Sequence, residues 1–297
     1  MTQTVCFTFD VEEHDRIEAA GDYVCPPPLR RVYSDRMASC THWILDTLDQ
    51  FGAKATFFVV GHIAVDHPKL IAEMTARGHE VASHSWDHRR VHRLAPAEFR
   101  ADLARAKDAL EQAGGRPVVG FRAPTFSITR ETAWAIDELA EAGYRYDSSV
   151  FPVRHDRYGV PDAPRFPFLA RGRRHTLLEL PPATYGLGAV NLPAAGGGYF
   201  RLFPLGVMRA AVGQTLGRPT GLPVLYFHPW EFDPGQPRLP LGRGGMFRTY
   251  VGIGRSRGRF RKLLGRYPSE PMCVAAERLA GTELPTFALA PRAAGAI

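Results

Sequence analysis

The chain reads as an α/β protein of parallel β/α-barrel type, and three observations point there. Apolar runs of strand length alternate with amphipathic stretches of helical period across the first half. Polar residues that packing does not require stand just after several of those runs, where barrel enzymes carry their chemistry. No linker or repeat divides the 297 residues.

The units follow in order. A strand at Val5–Phe9 leads through the Pro-rich loop Cys25-Pro26-Pro27-Pro28 to a helix over about Asp35–Phe51, with Ile44, Leu45 and Leu48 on one face. A buried strand Ala55–Val60 follows, then a helix Pro68–Arg77 stopped by Gly78, and a strand His79–Ser83. Next come a helix Pro96–Ala113 closed by Gly114-Gly115, a strand Val118–Phe121, a helix Arg130–Ala142 and a strand Tyr144–Tyr146. Beyond Asp147 the pattern loosens, with strands predicted only at Thr176–Leu180 and Val224–Phe227 and a helix at Arg257–Arg266. A domain break near Asp147 would separate residues that the chemistry needs together, so a single domain over 1–297 is expected.

Composition excludes several classes. With 45% hydrophobic and 23% charged residues the chain has the balance of a globular protein. Neither a membrane span nor a signal peptide is visible, so a cytoplasmic location is expected. Cys6, Cys25, Cys40 and Cys273 form no C-x-x-C pair and read as structural thiols. The net charge of +7 is concentrated, because Arg238 to Arg266 holds nine Lys or Arg and no Asp or Glu. An anionic polymer, a diphosphate-linked lipid or an anionic membrane surface could meet that segment, against the plainer reading of a solvated face. Nucleic acid is not expected, since no reading module accompanies the charge, and no partner protein is identifiable.

Four strand ends carry the candidate chemistry: Asp10 and Glu12, His84 and His88, Arg122, and His228. Side chains alternate along an extended segment, so Asp10 and Glu12 share a face that Val11 and Glu13 do not. The spacing of His84 and His88 lets two imidazoles converge if the loop takes one helical turn. With one carboxylate they make a three-ligand site suited to a borderline ion such as Zn²⁺, with Co²⁺ or another divalent ion as the alternative. Trp86, Phe126, Tyr199 and Trp230 are aromatic candidates to bind a ligand at the same site. His62, His67, His79 and His92 are left aside as ordinary histidines.

Five ordered motifs carry a family likeness: Thr8-Phe9-Asp10-Val11-Glu12, His84-Ser85-Trp86-Asp87-His88, Arg122-Ala123-Pro124-Thr125-Phe126, Tyr146-Asp147-Ser148-Ser149 and Phe227-His228-Pro229-Trp230-Glu231. Over residues 4–235 the chain resembles the polysaccharide deacetylase superfamily, carbohydrate esterase family 4. Gly196-Gly197-Gly198-Tyr199-Phe200-Arg201 resembles its exosortase- and exopolysaccharide-associated branch. The resemblance implies a distorted (β/α)7-type barrel with a basic extension over 236–297, and a metal-dependent hydrolase that removes N-acetyl groups from an oligo- or polysaccharide or its lipid-linked precursor. It implies Asp10 as base, His84 and His88 as ligands, Arg122 orienting Asp10, His228 as acid and Asp147 holding His228. Most members have adjacent aspartates. Here Val11 stands in the second place, and the shared face nominates Glu12 as the ligand, with Glu13 or Asp15 behind it. Two rival readings are an amidohydrolase acting on a small cyclic or formyl amide, and a carbohydrate-binding scaffold without turnover.

Overall fold

In the computed structural model, the described residues are 3–289 except 22, 156 and 189. The strands are β1 (Cys6–Val11), β2 (Thr56–Val59), β3 (Glu80–Ser83), β4 (Gly120–Phe121), β5 (Tyr146–Asp147), β6 (Phe168–Arg171), β7 (Thr176–Glu179), β8 (Thr184–Leu187), β9 (Val190–Pro193), β10 (Val224–Phe227) and β11 (Thr286–Ala288). The helices are α1 (Pro27–Gln50), α2 (Gly61–Asp66), α3 (Pro68–Ala76), α4 (Pro96–Gly114), α5 (Ala135–Glu141), α6 (Gly197–Leu202), α7 (Leu205–Leu216), α8 (Arg243–Tyr250), α9 (Ile253–Leu264) and α10 (Met272–Leu279).

The main sheet runs β10-β1-β2-β3-β4-β5-β7-β6-β11, and from β10 to β7 every pairing is parallel. All six residues of β1 are buried, as expected of a parallel strand covered on both faces. The chain beyond β7 returns to β10: Pro182 bridges Val224, and the Ala183 amide donates to the Val224 carbonyl at 3.0 Å. Seven parallel strands thus curl into a barrel that a short contact closes. Pro181 and Pro182 have no N–H to extend a ladder, which accounts for the weak seam.

Two local expectations change. The Pro-rich loop is already helix, since α1 starts at Pro27; a first-turn amide has no intrahelical partner, so proline loses nothing there. Helix α5 starts five residues later than the periodicity predicts, because Thr132 ties the preceding turn, accepting from the Thr129 amide and donating to the Ser127 carbonyl, both at 2.9 Å. After Asp147 the loops hold β6, the β8–β9 hairpin and helices α6, α7, α8 and α10, none of which the apolar pattern reveals.

The Gly196 run has a mechanical reason. Gly196 bridges Tyr226 on β10, and a Cβ there would lie 1.6 Å from the Tyr226 carbonyl oxygen; Gly197 follows at φ +58°. This close approach lets α6 start against the barrel mouth.

Candidate metal and hydrolytic site

The strand C-termini open into a cavity of about 420 Å³ whose lining includes Asp10, Glu12, His84, His88, Phe126, Tyr199, Arg201, Tyr226, His228 and Trp230. Strand β1 delivers its carboxylates as alternation requires. Glu12 turns to the cavity, while Val11 enters the apolar core and Glu13 turns to His62 (2.8 Å) and Arg16 (2.8 Å). Asp15 pairs with Arg30 at 3.6 Å instead.

Glu12, His84 and His88 bring their ligand atoms within 4.8 Å of one another. The imidazoles do not meet through a helical turn. Residues 84–88 form a bend in which Ser85 and His88 take left-handed φ values of 64° and 65°, and Ser85 Oγ accepts the His88 amide at 3.0 Å. Thr125 and Phe126 are left-handed too, so all four non-glycine residues of this kind among the described ones stand in or next to the site.

These residues fit a divalent cation. His84 Nδ1 faces the Arg122 carbonyl oxygen at 2.7 Å, which places its proton there and leaves the Nε2 lone pair free. Burial pushes His84 down to about 4, so the ring is neutral near pH 7. Glu12 Oε2 is buried and 2.6 Å from His88 Nε2, yet it makes no hydrogen bond, as expected of two atoms aimed at a shared point and not at each other. Burial alone would raise the Glu12 carboxyl, but His88, His228 and His84 hold it down to about 2.

Asp10 lies beside this cluster. Arg122, fully buried, donates to Asp10 Oδ1 at 2.7 Å and to Thr8 Oγ1 at 2.7 Å, and it is anchored by the Ser148 carbonyl and hydroxyl at 3.2 and 2.9 Å. The remaining oxygen, Asp10 Oδ2, stands 3.9 Å from His228 Nε2, which is also 3.7 Å from Glu12 Oε1. Nδ1 of His228 lies 3.2 Å from Glu231 Oε2. Burial would lower His228, but the Glu231 hydrogen bond and the charges of Glu231, Glu12 and Asp10 raise it to about 9.

Residues 28–146 match the polysaccharide deacetylase family, and residues 148–275 match a family described as Domain of unknown function (DUF3473). The first matched segment is thus similar to polysaccharide deacetylases. It is 42% identical over 74 residues to a chitooligosaccharide deacetylase of a Bradyrhizobium species, covering 25% of this chain and 34% of that protein. It is 31% identical over 110 residues to a peptidoglycan-N-acetylglucosamine deacetylase of Listeria monocytogenes, covering 34% of this chain and 23% of that one. The match therefore spans about a third or less of these relatives' length. A Mycobacterium smegmatis structure described as a polysaccharide deacetylase superposes with TM-score 0.64 at 23% identity, covering 95% of this chain and 91% of that one, which shows the shared fold.

The candidate site straddles both matched segments. His84, His88 and Arg122 lie in the first, and His228, Glu231, Arg201, Tyr199 and Trp230 in the second. The DUF3473 segment therefore builds one wall of the cavity.

Two sequence expectations are corrected. Asp147 does not hold His228; it accepts from Ser149 Oγ at 2.5 Å and pairs across the sheet with Glu179. Glu231 takes that place, because the single 3₁₀ turn Pro229–Phe232 swings its carboxylate back onto both the His228 amide (3.0 Å) and ring. Nor does Trp86 line the cavity; its ring packs beneath Arg105, 3.7 Å away. Phe126, Tyr199 and Trp230 do line it, with Trp230 stacked on His228 at 5.2 Å.

Arg201 and Glu231 are the functional residues that motif reading missed. Arg201 Nε donates to Glu231 Oε1 at 2.7 Å, and its Nη1 donates to the carbonyls of Arg248, Thr249 and Val251. A usable signal was present: a residue followed three positions later by Glu, just past a strand, is a capping pattern.

Proposed function

We propose that the protein hydrolyses N-acetyl groups from amino sugars of a polysaccharide or exopolysaccharide precursor, lipid-linked intermediates included. The observation that carries this reading is the convergence of Glu12, His84 and His88 beside Asp10 and His228 in one cavity. Glu12, His84 and His88 would hold one divalent ion, for which a carboxylate and two neutral imidazoles suit Zn²⁺, with Co²⁺ as the alternative. Bound there, such an ion supplies Lewis acidity towards the acetyl carbonyl and the attacking water.

The protein's own groups do the rest. Arg122 occupies one oxygen of Asp10, which leaves Oδ2 to accept the proton as water adds to the carbonyl. Glu231 holds the His228 ring by Nδ1 and favours the imidazolium, so Nε2–H protonates the sugar nitrogen as the C–N bond breaks. Acetate and a free amine result. Phe126, Tyr199 and Trp230 would seat the sugar ring.

The single-domain organisation over 1–297, with the extension from 236 packed on the barrel as far as the described residue 289, and a cytoplasmic location belong to the same proposal. The first is supported by β1, which pairs with both β2 and β10. Asp10→Asn is the decisive variant: acetate release from an N-acetylglucosamine oligomer should stop while metal content, read by atomic absorption, stays at one ion per chain. Equal metal loss in Asp10→Asn and His84→Ala would show that base and ligand have been confused.

A further inference from the structure

The basic run from Arg238 to Arg266 is sorted by the fold into two groups. On α9, Arg257 donates to the Phe232 carbonyl at 2.8 Å and lies over Trp43, Arg261 lies over the same ring, and Arg259 donates to the carbonyls of Phe203 and Arg201. These arginines bind the helix to the barrel, which neither a solvated face nor a lipid-binding face requires.

The wall formed by α8 differs. Phe247 and Arg248 line the catalytic cavity with His228 and Trp230; Phe247 is 59% exposed, and Arg248 is exposed with no ion pair or hydrogen bond to its guanidinium among the described residues. Their backbone is nevertheless fixed, since Arg201 holds the carbonyls of Arg248, Thr249 and Val251 while gripping Glu231. Of the acidic residues that line this cavity, Asp10 is held by Arg122, Glu12 faces His88, and Glu18 is engaged by Arg90 at 2.8 Å. An exposed aromatic ring beside an uncommitted guanidinium, both on a braced helix end, suits a sugar ring that carries negative charge: the ring packs on the aromatic face, and the anion meets the cation.

The geometry points to Phe247 and Arg248 as a subsite for an anionic sugar next to the N-acetylated one, so that the substrate is an acidic glycan and not a neutral homopolymer. This rests on the deacetylase reading above. It also distinguishes Arg248 from Arg243, which begins the same helix, is exposed and does not line the cavity. A solvated basic face or a membrane-binding face would use the two alike.

The test compares acetate release by the Zn²⁺-loaded full chain from two oligomers of equal length, one of N-acetylglucosamine alone and one alternating it with glucuronate. The acidic oligomer should have the higher kcat/KM. Arg248→Gln should cut that preference about three- to fivefold, the scale of one exposed ion pair, and added salt should narrow it. Phe247→Ala should weaken both substrates, and Arg243→Gln should leave the ratio unchanged. Equal effects of Arg243→Gln and Arg248→Gln, or none from Arg248→Gln, would overturn the subsite. So would an Arg248→Gln defect confined to sedimentation with phosphatidylglycerol vesicles, which would make the face a membrane contact. If neither oligomer releases acetate, calorimetry on Asp10→Asn separates the two claims: tighter binding of the acidic oligomer, lost with Arg248→Gln, keeps the subsite while the reaction reading falls.

Discussion

The two halves of the cavity are built by different means. On the metal side Glu12 and His84 each follow directly on a buried parallel strand, so the barrel sets their positions, and the bend over 84–88 brings in His88. On the acid side His228 also follows a strand, but its orientation depends on Glu231, then on Arg201, then on the carbonyls that end α8. The first arrangement needs strand register and one short bend. The second is a chain of buried charged contacts, in which losing one member leaves another uncompensated.

Removing the metal side should give the largest effect. His84→Ala should lose bound metal and turnover together, whereas His228→Ala should keep its metal and lose about 10²- to 10⁴-fold in kcat, the usual worth of general acid–base catalysis. Metal content and kcat measured on both variants would break the comparison if His228→Ala also came out metal-free.

A smaller effect is expected one step behind the acid. Glu231→Gln keeps shape but loses charge, and kcat should fall about 10- to 100-fold with metal retained, the range of partners that orient a site residue. Arg201→Met should instead appear first in stability. It leaves the Glu231 carboxylate buried without its guanidinium, a loss of about 3–5 kcal/mol readable from urea midpoints.

Stability against pH gives a buried histidine in each half of the chain an opposite sign in metal-free protein. In the first half, burial lowers His79 from 6.5 to about 4. The unfolded chain then binds the extra proton, so the stability His79 contributes is present above about 6.5 and declines as pH falls towards 4, by up to about 1.4 kcal/mol per pH unit. In the second half His228 is raised to about 9, so its contribution is full below 6.5 and is lost as pH rises through 9. His79→Gln should flatten the acid limb and His228→Gln the alkaline one; the reverse pairing would refute the assignment. The smallest effect is predicted for Trp86→Ala, whose kcat/KM should stay within about twofold, because its ring packs under Arg105 outside the cavity.

How legible each feature was depends on how local its cause is. Asp10 and Glu12 could be placed on one face because strand alternation is fixed by the backbone, and the same rule sent Val11 into the core and Glu13 to His62. The likeness to deacetylase motifs named the first-half residues, and those segments lie on regular strand ends. The second half resisted because its elements are short and rich in Gly, Pro and Arg, and periodicity needs about two helical turns to register. Asp147 was placed by analogy of motif, but its strand turns it towards Glu179.

By itself the sequence determined the barrel class, the facing carboxylates of β1 and the set of histidines and arginine at the strand ends. These follow from side-chain period and burial, which a chain encodes locally. Only the tertiary structure decided that left-handed residues, and no helical turn, bring His84 to His88, that Glu231 holds His228, and that Arg201 ties the acid to the rim helix. The first two turn on the backbone of a single bend or 3₁₀ turn, which side-chain periodicity does not record, and the last joins residues 30 and 47 positions apart, whose pairing no local pattern specifies.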